Sequence, residues 1–204
     1  MTIRVLGRDE LNEAAGLLAA GSLVAIPTDT VYGLAALLAD AGAVEALFEV
    51  KRRPGTAPIA VLCADVTDAT AIAVTWPAPA QRLAARYWPG PLTIVVDADP
   101  ALTERLGAAR GVGLRVPADA LCVALLGLTG PLAVTSANLH GASPATCAED
   151  LIATFDGRGV AAVLDGGRRD SGISTVVDLC GQEATVVREG VIAAGEALAV
   201  ATRG

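Results

Sequence analysis

Apolar positions recur along this chain with two different periods. From Asp9 to Ala20 they fall at helical spacing (Leu11, Ala14, Ala15, Leu18) and stop at Gly21, which predicts a helix closed by a glycine. Asp40 stands where it can cap a second helix carrying Val44, Leu47 and Phe48 towards Lys51. Pro79 to Trp88, Ala120 to Leu126 and Ala148 to Phe155 also read as helical. Short β-rich runs bounded by Gly or Pro predict strands at Leu23–Ile26, Ile59–Leu62, Leu92–Val96, Gly113–Val116 and Leu132–Thr135. Ala161–Leu164, Thr175–Leu179 and Thr185–Arg188 continue that series, and a last short helical piece follows. Strands alternating with helices imply an α/β protein. The final strands follow one another with little helix between them, so a mixed sheet is expected.

Composition narrows the picture. At 204 residues, 53% hydrophobic and 18% charged, the chain has ample material for a large core, and disorder is excluded. Aromatic residues are only 3%, so that core packs mainly Ala, Val and Leu, as suits helices laid on a sheet. The net charge of −7 argues against a broad basic surface for nucleic acid but allows a small basic pocket. Cys63, Cys122, Cys147 and Cys180 are far apart with no C-x-x-C pair, which favours free buried thiols over disulfides or zinc. The N-terminus shows no signal-peptide core, and no apolar run reaches the ~18 residues of a membrane span. A soluble, cytoplasmic protein without membrane contact is expected.

Polar chemistry concentrates in segments next to strands. Pro27-Thr28-Asp29-Thr30-Val31-Tyr32-Gly33-Leu34 follows a strand directly, the usual place for ligand groups in α/β sheets; taken alone, the segment reads first as a turn capped by Asp29. Lys51-Arg52-Arg53-Pro54 ends an apolar helix, where cations also complement the helix dipole. Arg115, alone inside the apolar strand Gly113–Val116, requires an anionic partner, either an acidic side chain or a bound carboxylate or phosphate. Thr135-Ser136-Ala137-Asn138 can donate to phosphate oxygens or serve as a helix cap. Taken together, Lys51, Arg53 and Arg115 with Thr28, Ser136 and Asn138 suit a polyanion carrying a polar group, such as a nucleoside triphosphate beside an amino acid. Neither the P-loop nor the Rossmann fingerprint is present. A serine hydrolase built on Ser136 and His140 lacks the G-x-S-x-G elbow, and the lone His140 reads as a surface residue. Asp165 to Gly172 reads either as a mobile loop able to close over a ligand or as a surface turn.

The segments PTDTVYGL (27–34), KRRP (51–54), WPGPLT (88–93), GLRVP (113–117) and TSAN (135–138) resemble, in order, the signatures of the YrdC/Sua5 family. SPAT with AED (143–150) and STVVDL with VVREG (174–190) are similar to its later segments. The resemblance implies a YrdC-like twisted mixed sheet flanked by helices, with a central cationic pocket. It also implies an L-threonylcarbamoyladenylate synthase, a nucleotidyltransferase making threonylcarbamoyl-AMP and pyrophosphate from L-threonine, bicarbonate or CO2, and ATP. The product would pass to a separate transferase complex for the t6A modification of tRNA adenosine 37, with at most a weak direct contact to tRNA. By the same resemblance Lys51, Arg53, Ser136, Asn138 and Arg188 bind ATP, with Lys51 and Arg53 also catalytic. Thr28, Arg115 and Ser174 hold L-threonine, and Tyr32, Gly111, Val134 and Ser143 line the pocket. Mg2+ is expected with ATP, and no protein ligands are assigned to it.

The chain departs from the family pattern in places. Leu62 stands near a position where some members have histidine, and the spacing around Ser143 differs slightly. The chain ends at Gly204, so the expected form is one YrdC-like domain over residues 1–204, without the second C-terminal domain of the Sua5 branch. The alternatives are a noncatalytic RNA-binding module, as related domains have been viewed, and a YciO-like paralogue of different activity.

Overall fold

Alternation of side chains along short strands lets one sheet serve two cores, and most of this chain's strands are apolar on both faces. A computed structural model describes residues 2–51, 58–139 and 141–203. Its strands are β1 (Arg4–Leu6), β2 (Leu23–Ile26), β3 (Gly33–Leu37), β4 (Ala60–Leu62), β5 (Leu92–Val96), β6 (Val112–Arg115), β7 (Leu132–Ser136), β8 (Val160–Leu164), β9 (Thr175–Asp178) and β10 (Thr185–Arg188). The α-helices are α1 (Leu11–Ala19), α2 (Ala41–Lys51), α3 (Val66–Ile72), α4 (Ala78–Tyr87), α5 (Pro100–Arg105), α6 (Ala120–Thr129), α7 (Ala148–Phe155) and α8 (Ala194–Ala201).

The strands join in the order β1-β8-β2-β3-β7-β4-β6-β5-β9-β10. β8 runs parallel to β1 and β2, β4 to β6, and β5 to β9, whereas the other neighbours are antiparallel. The sheet is therefore mixed, as the closely spaced final strands implied.

One face carries a core built with α2, α4, α7 and α8, through residues such as Leu47, Leu83, Leu151 and Ala197 against Val61, Ile94, Leu114 and Val177. The other face is covered by α1 and α6, where Leu18, Cys122 and Leu125 meet Val24, Ile26, Leu62 and Val134. Helix starts follow the short polar residues. Asp65, Asp99 and Asp119 each accept two backbone N–H groups at the N-termini of α3, α5 and α6. Asp40 does the same for Gly42 and Ala43, as its position implied. The thiols are all free; Cys63 and Cys122 are buried, while Cys147 and Cys180 are only half-buried. Burial pushes the Cys63 thiol up to about 12, so it behaves as an apolar side chain. No described helix is long and apolar enough to cross a membrane.

Candidate active site

A cavity of about 650 Å³ lies on the face of the sheet that α1 and α6 cover elsewhere. Its floor is made by every second residue of four strands: Ala60 and Leu62, Thr93 and Val95, Gly113 and Arg115, Val134 and Ser136. The residues between them, Val61, Ile94, Leu114 and Ala133, enter the opposite core, so period two alone decides what the cavity sees. Two glycines shape it. A Cβ on Gly33 would come within 2.5 Å of Val134 Cγ1, so the start of β3 can approach the floor only without a side chain. Gly111, at φ +65°, turns the chain into β6 where a Cβ would strike Cys180 Sγ and Val96 O.

Arg115 is buried on this floor and has its partner within the protein. Its Nη2 donates to Asp29 Oδ1 at 2.6 Å, its Nη1 to Thr30 Oγ1 at 3.2 Å, and its Nε to Gly90 O at 3.0 Å. Burial pulls its pKa down and the Asp29 carboxylate pushes it back up. Of the two partners open from sequence, the acidic side chain is the one found, and Asp29 is an ion-pair partner rather than a turn cap. Two of the five guanidinium N–H groups remain for a ligand, since three are used.

The adjacent threonines are ordered by donor counting. Thr28 Oγ1 donates to Val31 O at 2.6 Å and accepts from Thr30 N at 3.1 Å. Its 2.9 Å contact with Thr30 Oγ1 is then donated by Thr30. The Thr28 hydroxyl is thereby saturated, although the residue lines the cavity, whereas Thr30 keeps one lone pair. The free hydroxyl capacity sits on Thr30, which sequence reading did not single out as a ligand.

Lys51, Ser136 and Asn138 converge from the end of α2 and the end of β7. Lys51 is 2% exposed, and the three N–H groups of its Nζ are shared among four acceptors: Ser136 O at 2.6 Å, Thr135 Oγ1 and Asn138 Oδ1 at 3.1 Å, and Ser136 Oγ at 3.3 Å. The Asn138 amide donates to Leu139 O and Ala142 O, so its nitrogen folds the loop and its oxygen receives Lys51 and Ser136. Among the described residues Ser136 lines the cavity, with Lys51 and Asn138 behind it. Arg53 lies outside the described residues, as does His140.

On the opposite wall, buried Ser174 Oγ meets Thr93 Oγ1 at 3.2 Å and accepts from Arg188 Nη2 at 2.9 Å. Arg188 also donates from Nε to Ser174 O at 3.1 Å. Arg110, unassigned from sequence, lines the cavity beside Gly111 and faces Asp178 at 3.6 Å. Nothing in its flanking residues marked it, because only the turn at Gly111 brings it to the mouth. Val134, Tyr32 and Gly111 all line the cavity, whereas Ser143 lies exposed outside it.

Tyr32 also ties down the segment that starts at Asp165. Its hydroxyl donates to Gly167 O at 2.8 Å, accepts from Gly166 N at 3.0 Å and stands 3.2 Å from Asp165 Oδ1. Arg169 binds Asp119 Oδ2 through Nε and Nη2, and Ser171 N donates to Thr30 O. Of the two readings from sequence, a turn strapped to the body describes this segment. Burial pushes the Tyr32 phenol up to about 12. The folded protein then keeps a proton that the unfolded chain loses near pH 10, so this contribution is intact below pH 10 and lost as pH rises towards 12. Tyr32→Phe is expected to flatten the fall in denaturant midpoint across that window and to lower stability by about 1–3 kcal/mol at neutral pH, measured by urea unfolding.

A Sua5/YciO/YrdC family profile, described as "Telomere recombination", matches residues 16–190. The chain is 36% identical over 198 residues to the threonylcarbamoyl-AMP synthase of Pyrococcus abyssi, covering 93% of this chain and 58% of that protein. It thus spans under two thirds of that relative's length. The solved complex of P. abyssi Sua5 with L-threonine superposes with a TM-score of 0.87 at 34% identity, over 93% of this chain and 58% of the other. E. coli YciO superposes at 0.82 with 25% identity, over 94% and 97%. With a family profile over residues 16–190 and a cavity lined from the PTDTVYGL, WPGPLT, GLRVP, TSAN, STVVDL and VVREG segments, this chain belongs to the Sua5/YciO/YrdC family.

Proposed function

We propose that this protein is an L-threonylcarbamoyladenylate synthase, a nucleotidyltransferase that forms threonylcarbamoyl-AMP and pyrophosphate from L-threonine, bicarbonate or CO2, and ATP. One observation carries the reading: a single cavity collects Arg115, Ser174, Arg188 and Ser136 from four separate segments. The nearness of the chain to a threonylcarbamoyl-AMP synthase supports it. Arg115, with two N–H groups to spare, holds the threonine carboxylate, and Ser174 with Thr93 faces its polar side chain. Thr28 shapes this subsite through its turn rather than through its saturated hydroxyl. Lys51, Ser136, Asn138, Arg188 and Arg53 form the nucleotide side, with Lys51 held ready by the Ser136–Asn138 turn.

In the reaction the threonine amine, once deprotonated, adds to CO2 and loses a second proton to solvent, giving a carbamate anion. A carbamate oxygen then forms a bond to the α-phosphorus while the bond to the bridging oxygen breaks, and pyrophosphate leaves with that electron pair. The nucleophile is already an anion, so this step needs charge stabilisation and alignment more than a base. Lys51 and Arg53 supply that charge. Mg2+ entering with ATP would be held by phosphate oxygens and water, and would neutralise charge on the leaving group. Among the described residues no group of three or more His, Cys, Asp or Glu side chains is placed to hold a metal ion.

The product is passed on in the cytoplasm to a transferase complex for t6A formation, with tRNA touched weakly at most. A net charge of −7 does not favour the RNA-binding alternative. Higher identity to the synthase than to YciO does not favour the paralogue. Mass spectrometry of a reaction containing ATP, bicarbonate and L-threonine tests the proposal. Threonylcarbamoyl-AMP is the expected product, and its absence from a folded, ATP-binding preparation refutes the reading.

A further inference from the structure

We propose that Asp29 is a positioning residue which, together with Thr30, fixes the orientation in which Arg115 meets the carboxylate of an amino-acid substrate. The inference rests on the reading above, in which Arg115 holds that carboxylate.

Asp29 is not among the residues lining the cavity, but Arg115 is. The carboxylate stands behind the guanidinium at 2.6 Å, with side chains only 13% and 7% exposed. Two different segments grip the guanidinium: Asp29 and Thr30 from the turn after β2, and Gly90 from the turn before β5. Thr30 is held in turn, because its hydroxyl proton is committed to Thr28 and its oxygen therefore faces Arg115 as an acceptor. A long flexible side chain is thus fixed at all three nitrogens before any ligand arrives.

Two consequences follow. The Asp29 charge largely balances Arg115, so the site does not attract anions through surplus charge. Recognition then depends on where the two remaining N–H groups point, and preorganised donors discriminate by geometry. A neutral amide isostere of the ligand cannot accept both bonds in the same way, so the ratio of affinities for L-threonine and L-threoninamide reads the aim of Arg115. A generally loosened structure would weaken both ligands alike and leave that ratio unchanged.

The experiment measures both dissociation constants by calorimetry for wild type, Asp29→Ala, Asp29→Asn and Thr30→Val, with thermal unfolding as a check on folding. Wild type is expected to prefer L-threonine by tenfold or more, on the order of one charge-assisted hydrogen bond. Asp29→Ala also unbalances the Arg115 charge, which by itself favours the anionic ligand. Its preference is therefore read against Asp29→Asn, which removes the same charge, and is expected to fall well below it. Asp29→Asn keeps an oxygen acceptor and retains the preference to within about threefold. Thr30→Val, which changes no charge, lowers it partway and carries the test if Asp29→Ala does not fold. A preference unchanged in both Asp29→Ala and Thr30→Val overturns the inference, as does an Asp29→Asn protein that behaves like Asp29→Ala. Failure of the underlying reading looks different: wild type itself would not distinguish the two ligands.

Discussion

A Lys51→Ala protein is expected to lose about a hundred- to a thousandfold in the rate of ATP-dependent pyrophosphate release, because the buried ammonium orients Ser136 and Asn138 and places positive charge behind the nucleotide side, a loss of the order of one oxyanion donor. The ammonium is buried beside Thr135, Ser136 and Asn138, all within 3.3 Å, so neither solvent nor a displaced side chain can readily replace it. The same contacts mean that the substitution also removes hydrogen bonds from the end of β7, at about 1.5–3 kcal/mol for a charged donor. Lys51→Met keeps the aliphatic stem but loses the same hydrogen bonds. Its urea midpoint should exceed that of Lys51→Ala only by the packing the stem restores, while its activity stays low. Full activity in a folded Lys51→Ala protein would remove Lys51 from the chemistry.

Arg115→Ala has the larger effect on the fold. It strips the buried Asp29 carboxylate of its partner and opens the bonds to Gly90 and Thr30, and breaking a buried pair from one side costs about 3–5 kcal/mol. Thermal unfolding should show a drop of that order, and adding Asp29→Asn in the same chain should restore a substantial part by removing the stranded charge. Threonine affinity behaves differently. It should fall in Arg115→Ala and stay low in the double variant, because restoring stability does not restore the guanidinium. A double variant that recovers threonine binding would show that Arg115 serves the fold alone.

The contrast between these variants reflects what the linear sequence could and could not convey. β2, β5, α7 and β10 have the bounds that their apolar runs and Gly or Pro limits implied, because those signals are local. β1 has three residues of which only Leu6 is buried, too little for any period to register. β3 was hidden by its own chemistry, since Gly33 and Leu34 belong both to the PTDTVYGL segment and to a strand. α3 and α5 are short, but Asp65 and the Asp99-Pro100 pair are cap signals that a stricter reading of helix starts would have used.

For the site, the lone Arg115 in an apolar strand correctly called for an anion. Which anion was a question of tertiary contact between positions 86 residues apart. The grouping of Lys51 with Ser136 and Asn138 was legible through the resemblance of their segments. The saturation of the Thr28 hydroxyl and the place of Arg110 at the cavity mouth were not, because both depend on where backbone carbonyls and turns point.

In the proposed reaction one cavity joins an amino-acid subsite to a nucleotide subsite, so that each substrate is needed for the chemistry of the other. Pyrophosphate release measured with ATP and bicarbonate, with and without L-threonine, tests this most directly. The expected result is release that requires both L-threonine and bicarbonate and is lost in Lys51→Ala. Release that proceeds equally well without L-threonine, or no release from a folded protein supplied with all three substrates, would contradict it.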